Sequence, residues 1–197
     1  MTTLAQLAAD VYRVTNRPDL TNETYIAIRA ATLRFHMADD WVQSEATSVV
    51  PVAPLFTGDF RYSFLTTSLT RFRKIKYIKE YMTPPNPWYI QFERLAPDDL
   101  LDGYQTEKEN YWTRIGNGIT LRATREISNL EVVYYQLPDV TEATYSSWIA
   151  DMFQDCIIHE AKMDIFEMTG KVASDSRARN LKFTENLALL RQMAVVE

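Results

Sequence analysis

The sequence is poor in cysteine, glycine and positive charge, and each shortage argues against a class of protein. Its single cysteine, Cys156, cannot form a disulfide within the chain, so stability has to come from a packed core. Five glycines in 197 residues argue against the glycine-rich loops that cradle phosphates. A net charge of −5 argues against a protein that coats nucleic acid, because such a protein needs clustered cations to neutralise phosphates.

Long apolar runs are missing as well. No stretch of the sequence stays apolar over the length that a membrane-spanning helix requires. The first residues, MTTLAQLAADVY, include an acid and lack the basic and continuously apolar regions of a signal peptide. We therefore expect a soluble protein that is made in a cytoplasm and does not bind a membrane.

Apolar and aromatic residues are plentiful. Hydrophobic residues make up 46 % of the chain, which is enough for one large domain or for a core that carries a sizeable insertion. The 11 tyrosines and 4 tryptophans favour surfaces that are apolar yet tolerate water, as protein interfaces are.

Helical periodicity marks both ends of the chain. Residues 3–14 and 21–40 predict two helices near the N-terminus, and residues 142–169 and 175–194 predict two near the C-terminus. Gly170 can take the left-handed conformation that ends the helix before it. The apolar positions expected to face a core are Ile26, Ala30, Leu33 and Met37 in the second helix, Trp148, Ile149, Met152, Phe153, Cys156 and Ile157 in the third, and Phe183, Leu187, Leu190 and Ala194 in the last.

The middle of the chain alternates with a period of two residues, which is typical of β-strands. Strands are predicted at residues 60–64, 72–78, 88–90 and 131–136, and a hairpin over residues 111–122 turns at Gly116-Asn117-Gly118. Pro51 and Pro54 forbid a helix interior, so residues 44–58 are predicted as an extended loop or a boundary. A proline-rich turn is predicted at residues 83–87 and a short helix at 97–101.

The order of these elements predicts an α+β fold. Its helical bundle would be formed by the N- and C-terminal helices, in residues 1–43 and 137–197, and residues 44–136 would be a β-rich insertion. Short strands cannot stand alone, so we expect them to pack on the helices or to pair with neighbouring subunits.

Three carboxylates are the main candidate for chemistry. Glu160, Asp164 and Glu167 lie at i, i+4 and i+7 and therefore share one face of the predicted helix. Such a row could bind a metal or act as acid and base, but neither Glu-x-x-His nor His-Glu-x-x-His occurs in the sequence. We interpret the row as a solvated or channel-facing acidic stripe, and we predict no catalytic residue, no metal site and no cofactor.

Two further reactive side chains have structural interpretations. His36 falls on the polar side of its predicted helix, so we expect it to be exposed. Cys156 falls on the apolar side of its helix beside Met152 and Phe153, so we expect a buried thiol and not a nucleophile.

One basic cluster lies in and beside the predicted strand at residues 72–78, and it consists of Arg71, Arg73, Lys74, Lys76 and Lys79. Arg71 and Arg73 point to one face while Lys74 and Lys76 point to the other, so neither face carries a continuous patch. We therefore favour a solvated strand or an intersubunit salt-bridge edge over contact with DNA.

The last residues are more apolar than a chain end usually is. Met193, Val195 and Val196 have no obvious partner within the chain, whereas Leu190 can also pack on the other helices. Two interpretations stay open: these side chains finish the last helix, or they become ordered on a partner protein.

Three segments of the sequence resemble one protein family. They are NRPDLTNETYIAIRAATLRFHMADDW at residues 16–41, TRFRKIKYI at 70–78 and YYQLPDVTEATYSSWIADMFQDCIIHEAKMDIFEMTG at 134–170, and a short N-terminal helix precedes them. Together they resemble the head-to-tail adaptor proteins of tailed bacteriophages, of the tail tubular protein A type. The most specific part is Ser147-Trp148-Ile149-Ala150-Asp151, which follows a strand and Pro138.

The resemblance implies a structural virion protein and not an enzyme. Copies would assemble in the host cytoplasm into a ring, expected to be a dodecamer, at the head-tail junction. The ring would join the portal protein to the tail tube or nozzle protein, and genomic DNA would pass through it without being read. Under this interpretation Leu190, Met193, Val195 and Val196 contact the portal. Residues for the channel or for contacts between subunits would be Glu160, Asp164, Glu167, Arg71, Arg73, Lys74 and Lys76.

Two other classes of function remain open from the residues alone. The aromatic side chains could line the face of a ligand-binding module. Alternatively, the row formed by Glu160, Asp164 and Glu167 could serve an unrecognised hydrolase.

Overall fold

The computed structural model describes residues 1–55, 60–81, 89–101, 109–170 and 176–194. Two compact units divide the chain: Met1–Ser44 with Leu137–Glu197 form one, and Glu45–Gln136 form the other. The first is called the helical unit and the second the sheet unit. The turn expected at residues 83–87 and the start of the strand expected at 88–90 lie outside the described residues.

Six α-helices occur in the described ranges. Five belong to the helical unit, and α3 lies between two strands of the sheet unit. Their bounds are α1 Leu4–Thr15, α2 Thr21–Met37, α3 Pro97–Leu101, α4 Trp148–Met152, α5 Gln154–Met168 and α6 Ser176–Ala194. Short 3-10 helices lie at Val42–Ser44 and Thr66–Ser68.

The sheet unit contains a seven-stranded mixed sheet of half-barrel form. The strands are β1 Glu45–Pro51, β2 Arg61–Leu65, β3 Phe72–Glu80, β4 Gln91–Arg94, β5 Tyr111–Ile115, β6 Gly118–Arg122 and β7 Asn129–Gln136. Their order across the sheet is β1-β7-β3-β4-β5-β6-β2. The β4–β5 pair is parallel, and the other neighbouring strands are antiparallel.

The sheet has a hydrophobic core of its own. Alternation along β2 buries Tyr62 and Phe64, and the hydroxyl of Tyr62 accepts a hydrogen bond from the amide of Ile127 at 2.9 Å.

The hairpin predicted over residues 111–122 is confirmed, since β5 and β6 pair from Tyr111↔Arg122 to Ile115↔Gly118. Gly116 has φ +59, a conformation that glycine adopts without strain.

The helical unit packs α1, α2, α5 and α6 around a second core. The predicted first helix is confirmed, and it begins with a capping box in which Thr3 and Gln6 exchange hydrogen bonds. The last predicted helix is confirmed as α6. The largest fully buried side chains of this unit are Leu4, Leu7, Ile28, Phe35, Ile149, Ile157 and Ile165.

The predicted architecture, a bundle of N- and C-terminal helices that carries a β-rich insertion, is wrong. The fold is α+β with a seven-stranded mixed sheet and six helices among the described residues. One physical reason lies in β1, whose residues were expected to belong to an extended loop or a boundary because of Pro51 and Pro54. Pro51 lies at the very end of β1, where a missing amide is tolerated, and β1 pairs with β7 from Glu45↔Tyr135 to Pro51↔Asn129. With β1 added, the sheet buries a hydrophobic core of its own.

Two details of the predicted helices are also wrong. The stripe expected to face the core of α2 does not: Ile26 and Met37 are each 59 % exposed, while Ala27, Ile28, Ala31 and Phe35 are buried. The helix predicted over residues 142–169 is two helices, because the backbone leaves helical geometry at Phe153 with φ −138 and ψ 50. Gly170 does take a left-handed conformation, with φ +65, as predicted.

Candidate functional site

The three predicted carboxylates of α5 lie together and contact two arginines. Arg34 of α2 donates to Glu160 Oε1 at 2.6 Å and also pairs with Asp164. Arg179 of α6 donates through Nη2 to Glu160 Oε1 at 2.7 Å and to Asp164 Oδ1 at 2.5 Å. Its other terminal nitrogen, Nη1, lies 2.6 Å from Glu167 Oε1. These five side chains, named here the carboxylate–arginine cluster, connect α2, α5 and α6.

Burial differs strongly along this row of carboxylates. Glu160 is 4 % exposed, the side chain of Asp164 is 14 % exposed, and that of Glu167 is 48 % exposed. The interpretation as a solvated stripe is therefore wrong for Glu160, whose charge is balanced within the chain. A buried carboxylate needs such partners, because an unpaired buried charge is strongly destabilising. A channel or intersubunit role for the row stays a prediction.

Arg179 keeps its positive charge although it is largely buried. Burial lowers the pKa of Arg179, but the hydrogen bonds to Glu167, Glu160 and Asp164 raise it by more. The net result is a pKa above the ordinary value of arginine, so the guanidinium is a permanent cation. Its donors face three carboxylates at once. Arg179 thus fixes the start of α6 to α5.

A cavity of about 430 Å³ lies over the cluster, and Asn180 and Phe183 are the other described residues that line it. Each of its three carboxylates is already paired with a guanidinium. A hydrolase would need a carboxyl group that is free to exchange a proton with substrate. The geometry therefore fits a structural ion-pair network better than acid and base chemistry.

The basic cluster around β3 is also paired within the chain. Lys76 Nζ lies 2.5 Å from Glu45 Oε1 on β1, and Lys79 Nζ lies 2.9 Å from Glu131 Oε1 on β7. The hydrogen bond to Glu45 raises the pKa of Lys76. Arg71, Arg73 and Lys74 have interactions of their own. These contacts support the sheet, and a role of the cluster between subunits stays a prediction.

His36 is buried, so the prediction that its side chain is exposed is wrong. It is 3 % exposed, and its Nε2 lies 2.9 Å from Ser147 Oγ. Its Nδ1 lies 3.4 Å from Ser44 Oγ, which also accepts a hydrogen bond from Trp148 Nε1 at 3.2 Å. The sequence did contain a sign of this burial. His36 continues the four-residue repeat of Thr24, Ile28 and Thr32, which lies on the buried face of α2.

A serine beside a histidine is the arrangement of an activated nucleophile, but here it has a structural role. Ser147 is 4 % exposed, and its hydroxyl accepts the amide hydrogen of Ala150 at 3.2 Å, which caps α4. The other histidine nitrogen faces the hydroxyl of Ser44. The pair joins the end of α2 to the start of α4. Cys156 is buried as predicted, and burial raises the pKa of its thiol.

The residues predicted to contact a portal have different surroundings. Leu190 is fully buried in the core of the helical unit, and its role at a portal contact stays a prediction. Met193 is 52 % exposed, and Val195 and Val196 lie outside the described residues. Two exposed leucines of α6 were not predicted: Leu181 is 63 % exposed and Leu189 is 54 % exposed.

Two kinds of feature are absent from the described residues. Within them, no group of three or more His, Cys, Asp and Glu side chains could hold a metal ion. No helix in these ranges has both the length and the apolar character needed to cross a membrane. No protein-family model matches the chain, and no curated protein matches it.

Proposed function

We propose that this protein is a head-to-tail adaptor of a tailed bacteriophage. In this role its copies form a ring, with a dodecamer as the expected form, between the portal protein and the tail tube or nozzle protein. Genomic DNA passes through the ring without being read. The proposal rests on the resemblance of residues 16–41, 70–78 and 134–170 to that family, together with the apolar surfaces of the helical unit.

The main structural support for the proposal is a group of exposed apolar side chains on α6. Phe183, Leu187 and Leu190 pack against the core of the helical unit. Leu181, Leu189 and Met193 lie outside this packed side and are each more than half exposed. Several large apolar side chains exposed on one helix favour contact with another protein.

A second apolar stripe lies on α2. Ile26, Ala30, Leu33 and Met37 repeat at helical spacing on the side away from the core, with the two ends most exposed. A closed ring of identical subunits requires each copy to offer two different surfaces, because head-to-tail contacts are heterologous. We assign the α2 stripe to one of these two surfaces and the exposed apolar side chains of α6 to the portal contact.

The test is co-assembly with the portal protein of the same phage. We expect the wild-type chain to be retained on immobilised portal rings. The Leu189→Glu/Met193→Glu variant should lose that retention, because it places two charges on the exposed side of α6. Leu65→Glu is the matched control, since Leu65 is 59 % exposed but lies on the sheet unit.

Two outcomes count against the proposal. One is that the wild-type chain does not bind the portal under conditions where both proteins are folded. The other is that the α6 variant and the Leu65→Glu control bind the portal equally well, which would place the contact elsewhere.

A further inference from the structure

The two outer strands of the sheet, β1 and β2, differ in how their outward edges are covered. Beside β2, Pro54 forms a bridge with Tyr62, and the amide of Leu55 donates to the carbonyl oxygen of Arg61 at 2.8 Å. β1 pairs with β7 on one side, and no described residue forms a backbone hydrogen bond with its other side. An open strand edge is a template for pairing with another strand.

The ladder between β1 and β7 shows which backbone groups of β1 point outward. The amide of Val52 donates to the carbonyl oxygen of Ser128 at 2.9 Å, in the register that the two strands share. Hydrogen-bonded and non-hydrogen-bonded pairs alternate along an antiparallel ladder. The residues of β1 whose backbone bonds to β7 are therefore Ala46, Ser48 and Val50. Those whose backbone points outward are Glu45, Thr47, Val49 and Pro51.

β1 has few of the features that keep an edge strand from pairing, which are bulges, charged side chains and prolines. It pairs with β7 over seven residues without a register shift, so the strand contains no bulge. Its one charged side chain, Glu45, lies 2.5 Å from Lys76 Nζ. Pro51 removes one donor at the end of the strand. The outward amides of Thr47 and Val49 remain available, and both of these residues are exposed.

The open edge of β1 is complementary to itself. When two β1 strands run antiparallel about a two-fold axis at Ser48, Thr47 of each copy lies opposite Val49 of the other. Both residues point their backbone outward, so each can donate its amide hydrogen to the other and accept in return. Glu45 then lies opposite Pro51, whose carbonyl oxygen can accept the amide hydrogen of Glu45.

The side chains fit the same register. Thr47 and Val49 are both β-branched and meet on the exposed face, a favourable cross-strand pair. On the other face Ala46 lies opposite Val50, and both belong to or pack on the hydrophobic core of the sheet unit. Because positions 45 and 51 lie opposite each other, the two Glu45 carboxylates are roughly 20 Å apart along the strands, so like charges do not meet.

We propose that two copies of the free chain form a homodimer in which their β1 strands pair antiparallel about a two-fold axis at Ser48. The sheets of the two copies then become one continuous sheet. This contact uses the same surface of both copies, whereas the contacts of a closed ring use two different surfaces. The dimer therefore belongs to the free chain and does not depend on the adaptor function.

Amide hydrogen exchange of the wild-type chain, followed by NMR in a dilute and a concentrated sample, tests the pairing directly. We expect the amides of Thr47 and Val49 to exchange fast when the chain is dilute. They should exchange at least about tenfold more slowly when it is concentrated, because dimer formation gives them acceptors. The amides of Ser48 and Val50 are internal controls, since they bond to β7 and should be protected in both samples.

Sedimentation velocity measures the association itself. The particle mass of the wild-type chain should rise with concentration from 22.9 kDa to twice that value. Val49→Lys should weaken the dimer at least about tenfold, because it places two like charges diagonally across the strand pair. Val49→Thr is the matched control: it keeps the amide and the β-branched shape, so the dimer should change by less than about twofold.

Several results would overturn the proposal. One is a wild-type chain that keeps the mass of a single copy at the concentration used for NMR. Another is exchange at Thr47 and Val49 that is equally fast, or equally slow, in the dilute and the concentrated sample. The proposal also fails if Val49→Lys associates as strongly as Val49→Thr, or if the particles grow beyond two copies, because a two-fold contact is complete with two.

Discussion

At the scale of single residues, burial and charge pairing decide what each polar side chain does. Glu160 and Glu167 are predicted by the sequence to be equivalent, yet one is buried between two arginines and the other is half exposed. The sequence does not reveal this difference, because Arg34 lies 126 positions away from Glu160. Helical spacing predicts which residues share a face, but it does not predict which distant side chains cover that face.

Replacing a buried and an exposed carboxylate of the same helix tests this difference. Glu160→Gln should lower the free energy of unfolding by about 2–3 kcal/mol, because it leaves Arg34 and Arg179 without full compensation. Glu167→Gln should change it by less than about 1 kcal/mol, since an exposed ion pair contributes little. Urea denaturation of both variants measures the two values. Equal small effects would show that the cluster is solvated.

The protonation of His159 gives a second prediction at this scale. Burial lowers the pKa of His159, and the nearby charges of Lys162 and Lys182 lower it further. The folded chain therefore resists protonation, so its stability should fall as the pH drops from the ordinary histidine value towards the lower folded value. With only two histidines, proton NMR can follow both rings, and His159→Gln assigns the signals.

We expect the His159 ring to titrate below 6.5, the usual value. Lys162→Gln should raise its pKa, because the variant removes one of the two repelling charges. A His159 pKa at or above 6.5 in the wild-type chain would contradict the assigned surroundings of this side chain.

At the scale of elements, periodicity predicted the existence of helices and strands better than their orientation. The helix α1, the hairpin of β5 and β6, and the left-handed Gly170 were predicted from the sequence and are confirmed. The orientation of α2 was predicted wrongly, because this helix has apolar residues on two sides. Periodicity gave no reason to prefer Ala27, Ile28, Ala31 and Phe35 over the outer stripe, and packing against α1 and α5 decided between them.

The break at Phe153 also comes from tertiary packing. The apolar pattern runs on through residues 148–157 without a proline or glycine to stop it. Trp148 instead lies edge-on to the rings of His36, Trp41 and Phe153, at centre distances of 5.8, 5.6 and 6.4 Å. These contacts hold α4 in a direction of its own, and the local sequence contains no sign of them.

Truncation of Trp148 tests the packing of α4. Trp148→Ala should lower the free energy of unfolding by about 3 kcal/mol, because it removes three ring contacts and a hydrogen bond to Ser44. Met152→Ala, on the same helix but at a residue that is 57 % exposed, should change it by less than about 0.5 kcal/mol. If Trp148→Ala has an effect as small as the control, this side of α4 is an interface and not part of a core.

At the scale of the whole molecule, the chain has two compact units, each with its own hydrophobic core. The α+β class followed from the periodicity, whereas the seven-stranded sheet did not. Its outer strand β1 contains Thr47, Ser48 and Pro51, and its parallel β4–β5 pair joins strands that residues 95–110 separate. Neither pairing has a local signal, because strand order depends on contacts between distant segments.

The central claim, that the protein is a head-to-tail adaptor, is tested most directly by electron microscopy of the chain mixed with the portal protein of the same phage. The claim predicts an added ring of density on one face of the portal, with the symmetry of the assembled adaptor and with α6 at the contact. Leu189→Glu/Met193→Glu should abolish this density, and Leu65→Glu should leave it in place. Portal rings without added density, in a mixture where both proteins are folded and in excess, would contradict the claim.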